Sequence, residues 1–264
     1  MSIQENCRIL DHQEVAPQHF KLVVASKYIS SHAQPGQFVN VRCSTGYDPL
    51  LRRAFSIHRT AKEHERFELL YQVVGKGTRS LSQYCVGAEL DILGPLGQGF
   101  ALEKKDIAIL VGGGMGVAPL LALAETLKQT TKAIYVLIGA KDKARVLAEK
   151  EFNAITDQVL VSTDNGSYGK KGFISDILLN VIENTLDPSY LPLATIYACG
   201  PNPMLKAIAD IAFQKKIPCQ VSMEQCMACG IGTCLGCVVK TRTGYQKVCD
   251  DGPVFKSEEI VWQD

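Results

Sequence analysis

The sequence predicts a multidomain chain: an antiparallel β-barrel or sandwich, then an α/β domain on a parallel sheet, then a small C-terminal module organised by cysteines. Up to residue 99, short runs of β-forming residues are separated by polar or glycine turns, and from residue 106 strand-like and helix-like segments alternate. Five of the ten cysteines lie between Cys226 and Cys249. At 264 residues the chain exceeds one typical domain, and we place the three parts at residues 1–100, 101–216 and 217–264.

The composition is that of a globular chain without a strong charge bias. Hydrophobic residues make up 46% of the sequence, which is enough for a sizeable core. The 28 Lys and Arg residues balance 27 Asp and Glu residues with no basic run, so neither nucleic acid nor an anionic membrane is an expected partner. The first residues lack the apolar stretch of a secretory signal, which predicts a cytoplasmic protein. Residues 107–124 are uncharged, but glycines and Pro119 interrupt them, so we do not expect a membrane span.

The first domain is predicted from strand-like runs at regular spacing. Short strands separated by turns are typical of antiparallel barrels and sandwiches. The predicted strands are residues 20–24, 37–41, 54–58, 67–74 and 89–93.

The second domain is predicted from strands that alternate with helices, a pattern that indicates a parallel sheet covered on both faces. The predicted strands are residues 107–111, 133–138, 158–162 and 194–199, and the predicted helices are residues 118–128 and 143–154.

A glycine-rich turn joins the first strand of this second domain to its first helix. The glycines are Gly112, Gly113, Gly114 and Gly116. Bare backbone amides at the start of a helix can bind a pyrophosphate, although such turns also serve close packing. The turn departs from the G-x-G-x-x-G fingerprint because Ala118 or Pro119 takes the place of the third glycine. This departure argues against a standard Rossmann dehydrogenase.

The C-terminal cysteines have the spacing of an iron–sulfur site. Cys229, Cys234 and Cys237 follow C-x4-C-x2-C, with Cys249 as a fourth thiol, which is the plant-type ferredoxin pattern for a [2Fe-2S] cluster. Glycines between the cysteines ease the wrapping of the backbone around such a cluster. Cys226 lies outside the pattern.

Zinc is the alternative for this module. Two C-x2-C pairs, Cys226 with Cys229 and Cys234 with Cys237, could bind it, but only four residues separate the pairs, against roughly 15 to 20 in zinc ribbons. A bacterial [4Fe-4S] run, which needs C-x2-C-x2-C, is absent. We interpret the remaining cysteines outside the second domain's strands as buried structural residues: Cys7, Cys43, Cys85 and Cys219.

Four segments in chain order resemble the ferredoxin–NADP reductase superfamily over about the first 215 residues. They are R-A-F-S at residues 53–56, G-K-G-T at 75–78, the glycine turn, and Y-A-C-G-P-N-P-M at 197–204. The resemblance implies FAD on the barrel and a pyridine nucleotide on the parallel sheet. Without the resemblance, Arg53 would suit a surface ion pair, Ser56 a strand hydroxyl, and Cys199 a small core residue.

The resemblance also implies residue roles. Arg53 pairs with the FAD diphosphate, Ser56 hydrogen-bonds near flavin N5, and Cys199 lies beside the nicotinamide. Ser56 and Cys199 are thus the expected catalytic residues. The other expected cofactor-binding residues are Ala54, Phe55, Leu70, Tyr71, Gln72, Gly77 and Thr78 for FAD, and the four turn glycines for the nucleotide.

The C-terminal segments narrow the resemblance further. M-A-C-G-I-G-T-C followed by V-C-D-D-G-P-V-F resembles the electron-transfer subunits of NAD-linked (class B) dihydroorotate dehydrogenase, over essentially the whole chain. This implies that Cys229, Cys234, Cys237 and Cys249 bind a [2Fe-2S] cluster. It also implies an FMN-containing catalytic partner, in a heterotetramer with two copies of each subunit, and electron flow from dihydroorotate through FMN, cluster and FAD to NAD+ in pyrimidine biosynthesis.

Two other functions stay open on the sequence alone. One is the flavin subunit of an NADH-dependent ferredoxin:NADP oxidoreductase or of a sulfide dehydrogenase, which would share the reductase and cluster modules. The other is a zinc-stapled binding protein with no redox role.

The expected nucleotide is NAD(H). Phosphate-preferring reductases of the superfamily carry a Ser-Arg pair after the third parallel strand, whereas this chain has Asp164 in V-S-T-D-N-G. A carboxylate accepts hydrogen bonds from a free ribose hydroxyl and repels a phosphate. Asp164 could instead simply start the turn, and Lys141, Lys143 and Arg145 could reach a 2′-phosphate.

Overall fold

The computed structural model describes residues 1–103 and 105–262 and begins with a closed antiparallel barrel of six strands, in the order β1-β2-β5-β4-β3-β6. Because closure pairs every strand on both sides, the barrel has no free edge. Its strands are β1 (Ile3–Ala16), β2 (His19–Ala25), β3 (Phe38–Val41), β4 (Arg53–Ala61), β5 (Arg66–Gln72) and β6 (Glu89–Leu96), with two short helices, α1 (Lys27–His32) and α2 (Lys76–Leu81).

The barrel confirms the predicted first fold class and adds a strand that the sequence patterns missed. β1 is 14 residues long and mostly polar, with only Cys7 and Ile9 buried among them. It pairs with both β2 and β6 and so closes the barrel. A strand with so few buried side chains has no strong apolar alternation, which explains why it was not predicted.

A seven-stranded sheet follows, in the order β10-β9-β8-β7-β11-β12-β15. Neighbouring strands are parallel, except that β15 runs antiparallel to β12. The strands are β7 (Ile107–Gly113), β8 (Ala133–Ala140), β9 (Val159–Thr163), β10 (Lys170–Lys171), β11 (Ala194–Cys199), β12 (Cys219–Ser222), β13 (Val238–Thr241), β14 (Gly244–Lys247) and β15 (Val254–Lys256), of which β13 and β14 form a separate hairpin. The helices are α3 (Leu120–Leu127), α4 (Glu149–Asn153), α5 (Ile174–Asn180) and α6 (Asn202–Lys215).

The segment expected as one helix over residues 143–154 is divided in two. A 3-10 turn covers Lys143–Arg145, and α4 begins only at Glu149. Between them Leu147 is buried in the core, and Ala148 adopts a left-handed backbone with φ of 58°. Burial of Leu147 therefore outweighs the helix-forming tendency of the surrounding residues.

The C-terminal part shares the sheet of the second domain. β12 and β15, on either side of the cysteines, are its last two strands. Between β12 and β13, residues 223–237 form neither helix nor strand, and we call residues 226–237 the cysteine loop. Within the described part of the chain, no helix is both long and apolar enough to cross a membrane.

Polar contacts join the barrel to the second domain. The buried His58 ring donates from Nδ1 to the carbonyl oxygen of Ala118 at 2.8 Å. Arg59 Nε donates to Glu125 Oε1 at 2.8 Å. These contacts bring the end of the glycine turn against β4, and so fix which residues of the two domains face each other.

Candidate functional site

One cleft of about 610 Å³ collects eight of the nine residues predicted to bind FAD, together with Cys199. The barrel supplies the R-A-F-S segment of β4 and the end of β5, and the second domain supplies the end of β11. Residues 222–227, which run into the start of the cysteine loop, close the cleft. The predicted residues that line it are Arg53, Ala54, Phe55, Ser56, Leu70, Tyr71, Gln72, Thr78 and Cys199.

Aromatic packing fixes the barrel wall of the cleft. Phe55 and Tyr71 are buried, with ring centroids 5.4 Å apart, and Phe20 stacks on Tyr71 at 5.6 Å. The Tyr71 hydroxyl donates to Nε2 of His12 at 2.9 Å, and burial raises the pKa of Tyr71. Tyr71 is therefore a neutral wall residue whose hydroxyl already has a partner.

Arg53 lies against the second predicted FAD segment. Its Nη1 donates to the carbonyl oxygen of Leu51 at 2.7 Å, and a Cβ at Gly77 would lie 3.0 Å from Arg53 Nε. A Cβ at Gly75 would meet nothing within 4 Å. The Thr78 hydroxyl accepts the amides of Val74 and Gly75 and so orders the start of α2. A guanidinium beside open, side-chain-free backbone fits an anionic group such as a diphosphate.

The glycine turn is explained largely by packing. A Cβ at Gly116 would lie 2.0 Å from the carbonyl oxygen of Cys199, and one at Gly113 2.4 Å from Met204 Sδ. At Gly112, a Cβ would lie 2.7 Å from Val117 Cγ1. Only Gly114, with φ of 56°, faces open space.

The turn continues as a 3-10 segment, Gly114–Val117, and α3 begins only at Leu120. Its members on the cleft wall are Met115 and Ala118 rather than any of the glycines.

Cys199 ends β11 and reaches the cleft while only 2% exposed. Burial and the nearby Glu224 carboxyl raise the pKa of Cys199 to about 12, although a hydrogen bond with Ser222 acts in the opposite direction. The side chain is thus a thiol and not a thiolate at neutral pH.

Glu224 also lines the cleft, where partial desolvation by the surrounding protein raises the pKa of its carboxyl. No sequence motif pointed to Glu224. Its position just after β12, at the carboxyl end of the sheet, is the signal that could have identified it.

The predicted cysteine ligands fall into two pairs. Within the first, the amide of Cys234 donates to Cys229 Sγ at 3.4 Å. Within the second, Cys237 hydrogen-bonds to Cys249, and burial followed by this bond raises the pKa of Cys249 to about 12. Two pairs of thiols match the two irons of a [2Fe-2S] cluster. Within residues 1–103 and 105–262, no group of three or more His, Cys, Asp or Glu is arranged around a single metal ion.

Backbone amides in the cysteine loop point at sulfur. Ile231 and Cys234 donate to Cys229 Sγ, and Gly232 donates to Cys249 Sγ at 3.1 Å. Although burial opposes it, the hydrogen bonds from Ile231 and Cys234 lower the pKa of Cys229 to about 6. Amides that stabilise thiolates suit a cluster ligand, so these residues fit the group. Cys226 is exposed and lines the cleft.

Asp164 lies apart from the cleft, exposed at the end of β9, where its amide donates to the carbonyl oxygen of Ala140 at 3.0 Å. Two of the three cationic side chains that could bind a 2′-phosphate, and so favour NADP(H), have local partners. Arg145 pairs with Asp142, and Lys143 Nζ lies 5.5 Å from the centre of the Tyr168 ring.

Comparison with known proteins identifies the family. Residues 224–261 match the family model of the iron–sulfur cluster binding domain of dihydroorotate dehydrogenase B, and residues 110–210 match that of an oxidoreductase NAD-binding domain. The chain is 36% identical over 268 residues to the dihydroorotate dehydrogenase B (NAD+) electron transfer subunit of Desulforamulus reducens, covering 100% of both chains. It is 38% identical to the same subunit of Caldanaerobacter subterraneus, covering 97% of each.

The chain belongs to the family of dihydroorotate dehydrogenase B electron transfer subunits. It is accordingly an NAD-linked oxidoreductase subunit. Among solved structures, it is similar to an NADH-dependent reduced ferredoxin–NADP oxidoreductase, at 32% identity and a TM-score of 0.86, covering 97% of this chain and 90% of that one. A ferredoxin NADP+ reductase of Neisseria gonorrhoeae, at 18% identity and a TM-score of 0.65 over 81% and 90% of the two chains, shares the fold.

Proposed function

We propose that the chain passes electrons between NAD+ and an FMN-containing subunit that oxidises dihydroorotate, in pyrimidine biosynthesis. Its cofactors are FAD and a [2Fe-2S] cluster, with NAD(H) as substrate. The observation that carries the proposal is the shared cleft, because barrel residues, the end of β11 and residues next to the cysteine loop all line it. A flavin held there would be in reach of both nucleotide and cluster.

When bound, FAD exchanges a hydride with the nicotinamide and single electrons with a cluster that carries one at a time. Arg53 would hold the diphosphate, beside Gly77 and Thr78. Ala54 and Phe55 would shape the wall, and Ser56 would offer its hydroxyl to the reacting edge of the ring. The remaining wall residues in this proposal are Leu70, Tyr71 and Gln72.

Cys199 would sit beside the nicotinamide as a neutral thiol, which packs against an uncharged ring without bringing a charge to it. The main contribution of the turn glycines would be to let the turn lie against the end of β11. Asp164 would accept hydrogen bonds from the ribose hydroxyls of NAD(H).

Cys229, Cys234, Cys237 and Cys249 would bind the cluster, two to each iron. In this arrangement residues 1–100 form the FAD part, 101–216 the NAD part and 217–264 the cluster part, although the last two share one sheet. The match to an iron–sulfur domain favours the cluster over the zinc alternative.

The chain works with a catalytic partner subunit. We propose that this partner contains FMN and that two copies of each subunit assemble. The test is reconstitution with that partner. Dihydroorotate-dependent reduction of NAD+ should require both subunits, whereas the chain alone should pass electrons from NADH to a dye. A chain that supports no NAD+ reduction with the partner would contradict the proposal.

A second function is favoured by one observation, the similarity to the NADH-dependent ferredoxin–NADP oxidoreductase over nearly the whole chain. In that case the chain should exchange electrons with ferredoxin and NADP+ in the company of a different subunit. Assaying both partner sets side by side distinguishes the two functions.

A further inference from the structure

Asn40 is a buried amide of the barrel that bonds to the cysteine loop. It lies on β3, is 1% exposed, and donates from Nδ2 to the carbonyl oxygen of Cys229 at 3.2 Å. Gly230 packs so closely that a Cβ there would lie 1.8 Å from Asn40 Nδ2, and its φ is 70°. The loop therefore approaches the barrel at a point where only glycine fits.

The backbone of the same residue pairs with a strand that lines the cleft. Asn40 pairs with Ala54 in the antiparallel register of β3 and β4, so it lies across from the R-A-F-S segment. Its own carbonyl oxygen accepts from Arg52 Nη1 at 3.5 Å, and Arg52 is held by an ion pair of 2.6 Å with Asp91. One residue thus joins a braced strand of the cleft to a loop that carries cluster ligands.

We propose that Asn40 is a positioning residue that sets the place and the electronic environment of the cluster relative to the flavin cleft. It acts through the carbonyl group of Cys229, and the proposal rests on the proposed function for the identity of the two carriers. A buried amide donor that loses its acceptor is strongly disfavoured, so strand and loop hold one relative position. Hydrogen bonds around cluster ligands also set the reduction potential of the cluster.

The test uses the full chain loaded with FAD and cluster. Asn40→Leu keeps the branched shape of the side chain and removes the donor, and Asn40→Asp places an oxygen against the Cys229 carbonyl. Both variants should shift the electron paramagnetic resonance spectrum and the midpoint potential of the reduced cluster, and shorten its half-life in air about fivefold. FAD content should remain that of the natural chain.

Ser30→Ala is the matched control, because this buried hydroxyl of the barrel donates to the carbonyl oxygen of Lys27 within α1. It should leave the cluster spectrum and potential unchanged. Should the Asn40 variants fold poorly, Gly230→Ala tests the contact from the loop side. The effect of Gly230→Ala on the spectrum should be smaller in the double variant with Asn40→Ala, because the amide group that the new Cβ would meet is then absent.

Unchanged spectrum, potential and half-life in both Asn40 variants would overturn the positioning role. Equal effects of Gly230→Ala with and without Asn40 would overturn it as well. Absence of a [2Fe-2S] cluster from the natural chain would instead overturn the proposed function, so the two failures are distinguishable.

Discussion

The parallel sheet and the cysteine loop are ordered by opposite means. Every residue of β7 and of β11 is buried, and these strands lie at the centre of two apolar clusters. In the cysteine loop, Ile231 is 52% and Leu235 65% exposed. Burial of apolar surface stabilises the sheet. The loop has little such burial, so its order depends on hydrogen bonds to sulfur and on the group that the cysteine thiols bind.

Glycine serves the two regions differently as well. At the end of β7 and in the turn after it, Gly113 and Gly116 permit close packing against Met204 and Cys199. In the loop, Gly230 and Gly232 have φ values of 70° and 79°, which turn the backbone so that amides reach sulfur. We therefore expect the order of the loop to depend on the group that its cysteines bind, whereas the order of the sheet should not.

Loss of a cluster ligand is the strongest test of this difference. Serine at Cys229, Cys234, Cys237 or Cys249 should abolish the cluster and partner-linked turnover while the rest of the fold survives. The natural chain should contain about two iron and two sulfide per polypeptide, because four thiolates in this pattern bind two irons. Iron analysis and visible absorbance provide the measurement.

Cys226→Ser is the control for these variants and should keep both cluster and turnover. Retention of the cluster in Cys249→Ser together with its loss in Cys226→Ser would reverse the ligand assignment. Zinc in place of iron would contradict the cluster itself.

Arg53→Ala tests the barrel side of the cleft. Like the parallel sheet, the barrel should stay folded without its cofactor. It should weaken FAD binding by roughly 1.5 to 3 kcal/mol, the contribution of a charge-assisted hydrogen bond, and leave the fold intact. Flavin content after dilution and gel filtration measures the loss. Full retention of FAD would count against this site.

Gly116→Ala and Gly114→Ala separate packing from backbone conformation in the glycine turn. The first places a Cβ against the carbonyl of Cys199 and should destabilise by about 1 to 3 kcal/mol, a typical cost of overpacking. The second meets no neighbour, so it should cost only about 1 to 2 kcal/mol for the left-handed backbone. Thermal unfolding compares them, and a larger effect of Gly114→Ala would contradict the packing role.

His58 makes the contact between barrel and sheet sensitive to pH. Burial lowers its pKa, against opposing effects of the Ala118 carbonyl and of the Glu68 and Glu151 carboxylates. Below about pH 6.5, His58 takes up a proton in the unfolded chain but stays neutral in the folded protein. Protonation therefore favours the unfolded chain, and the folded protein loses stability as the pH falls below that value.

His58→Gln removes this titration while keeping a donor for Ala118. The decrease in Tm between about pH 7 and pH 5.5 should be smaller in the variant by about 2 to 4 °C. An identical decrease in both proteins would show that His58 does not govern it.

The nucleotide preference should give the smallest effect, since it depends on one exposed side chain. NADH should exceed NADPH in kcat/KM for dye reduction by about tenfold, because the Asp164 carboxylate repels a 2′-phosphate, and Asp164→Ser should narrow that ratio. Comparable or higher kcat/KM for NADPH in the natural chain would show that Asp164 does not have this role.

Local patterns in the sequence were sufficient for five of the six barrel strands, for the alternation of strands and helices, and for the cysteine spacing. These features depend on neighbours within a few residues, where periodicity and turn chemistry act directly. The motif residues that line the cleft were also identifiable, because the R-A-F-S segment and Cys199 lie in short contiguous motifs.

Only the tertiary structure decided which distant residues meet. It placed Glu224 beside Cys199, set Asn40 against Cys229, and added β12 and β15 to the sheet. These contacts join positions up to 189 residues apart, and no local pattern encodes them. These contacts form because apolar strands elsewhere in the chain are buried together. Their burial brings polar side chains into contact that no sequence pattern links.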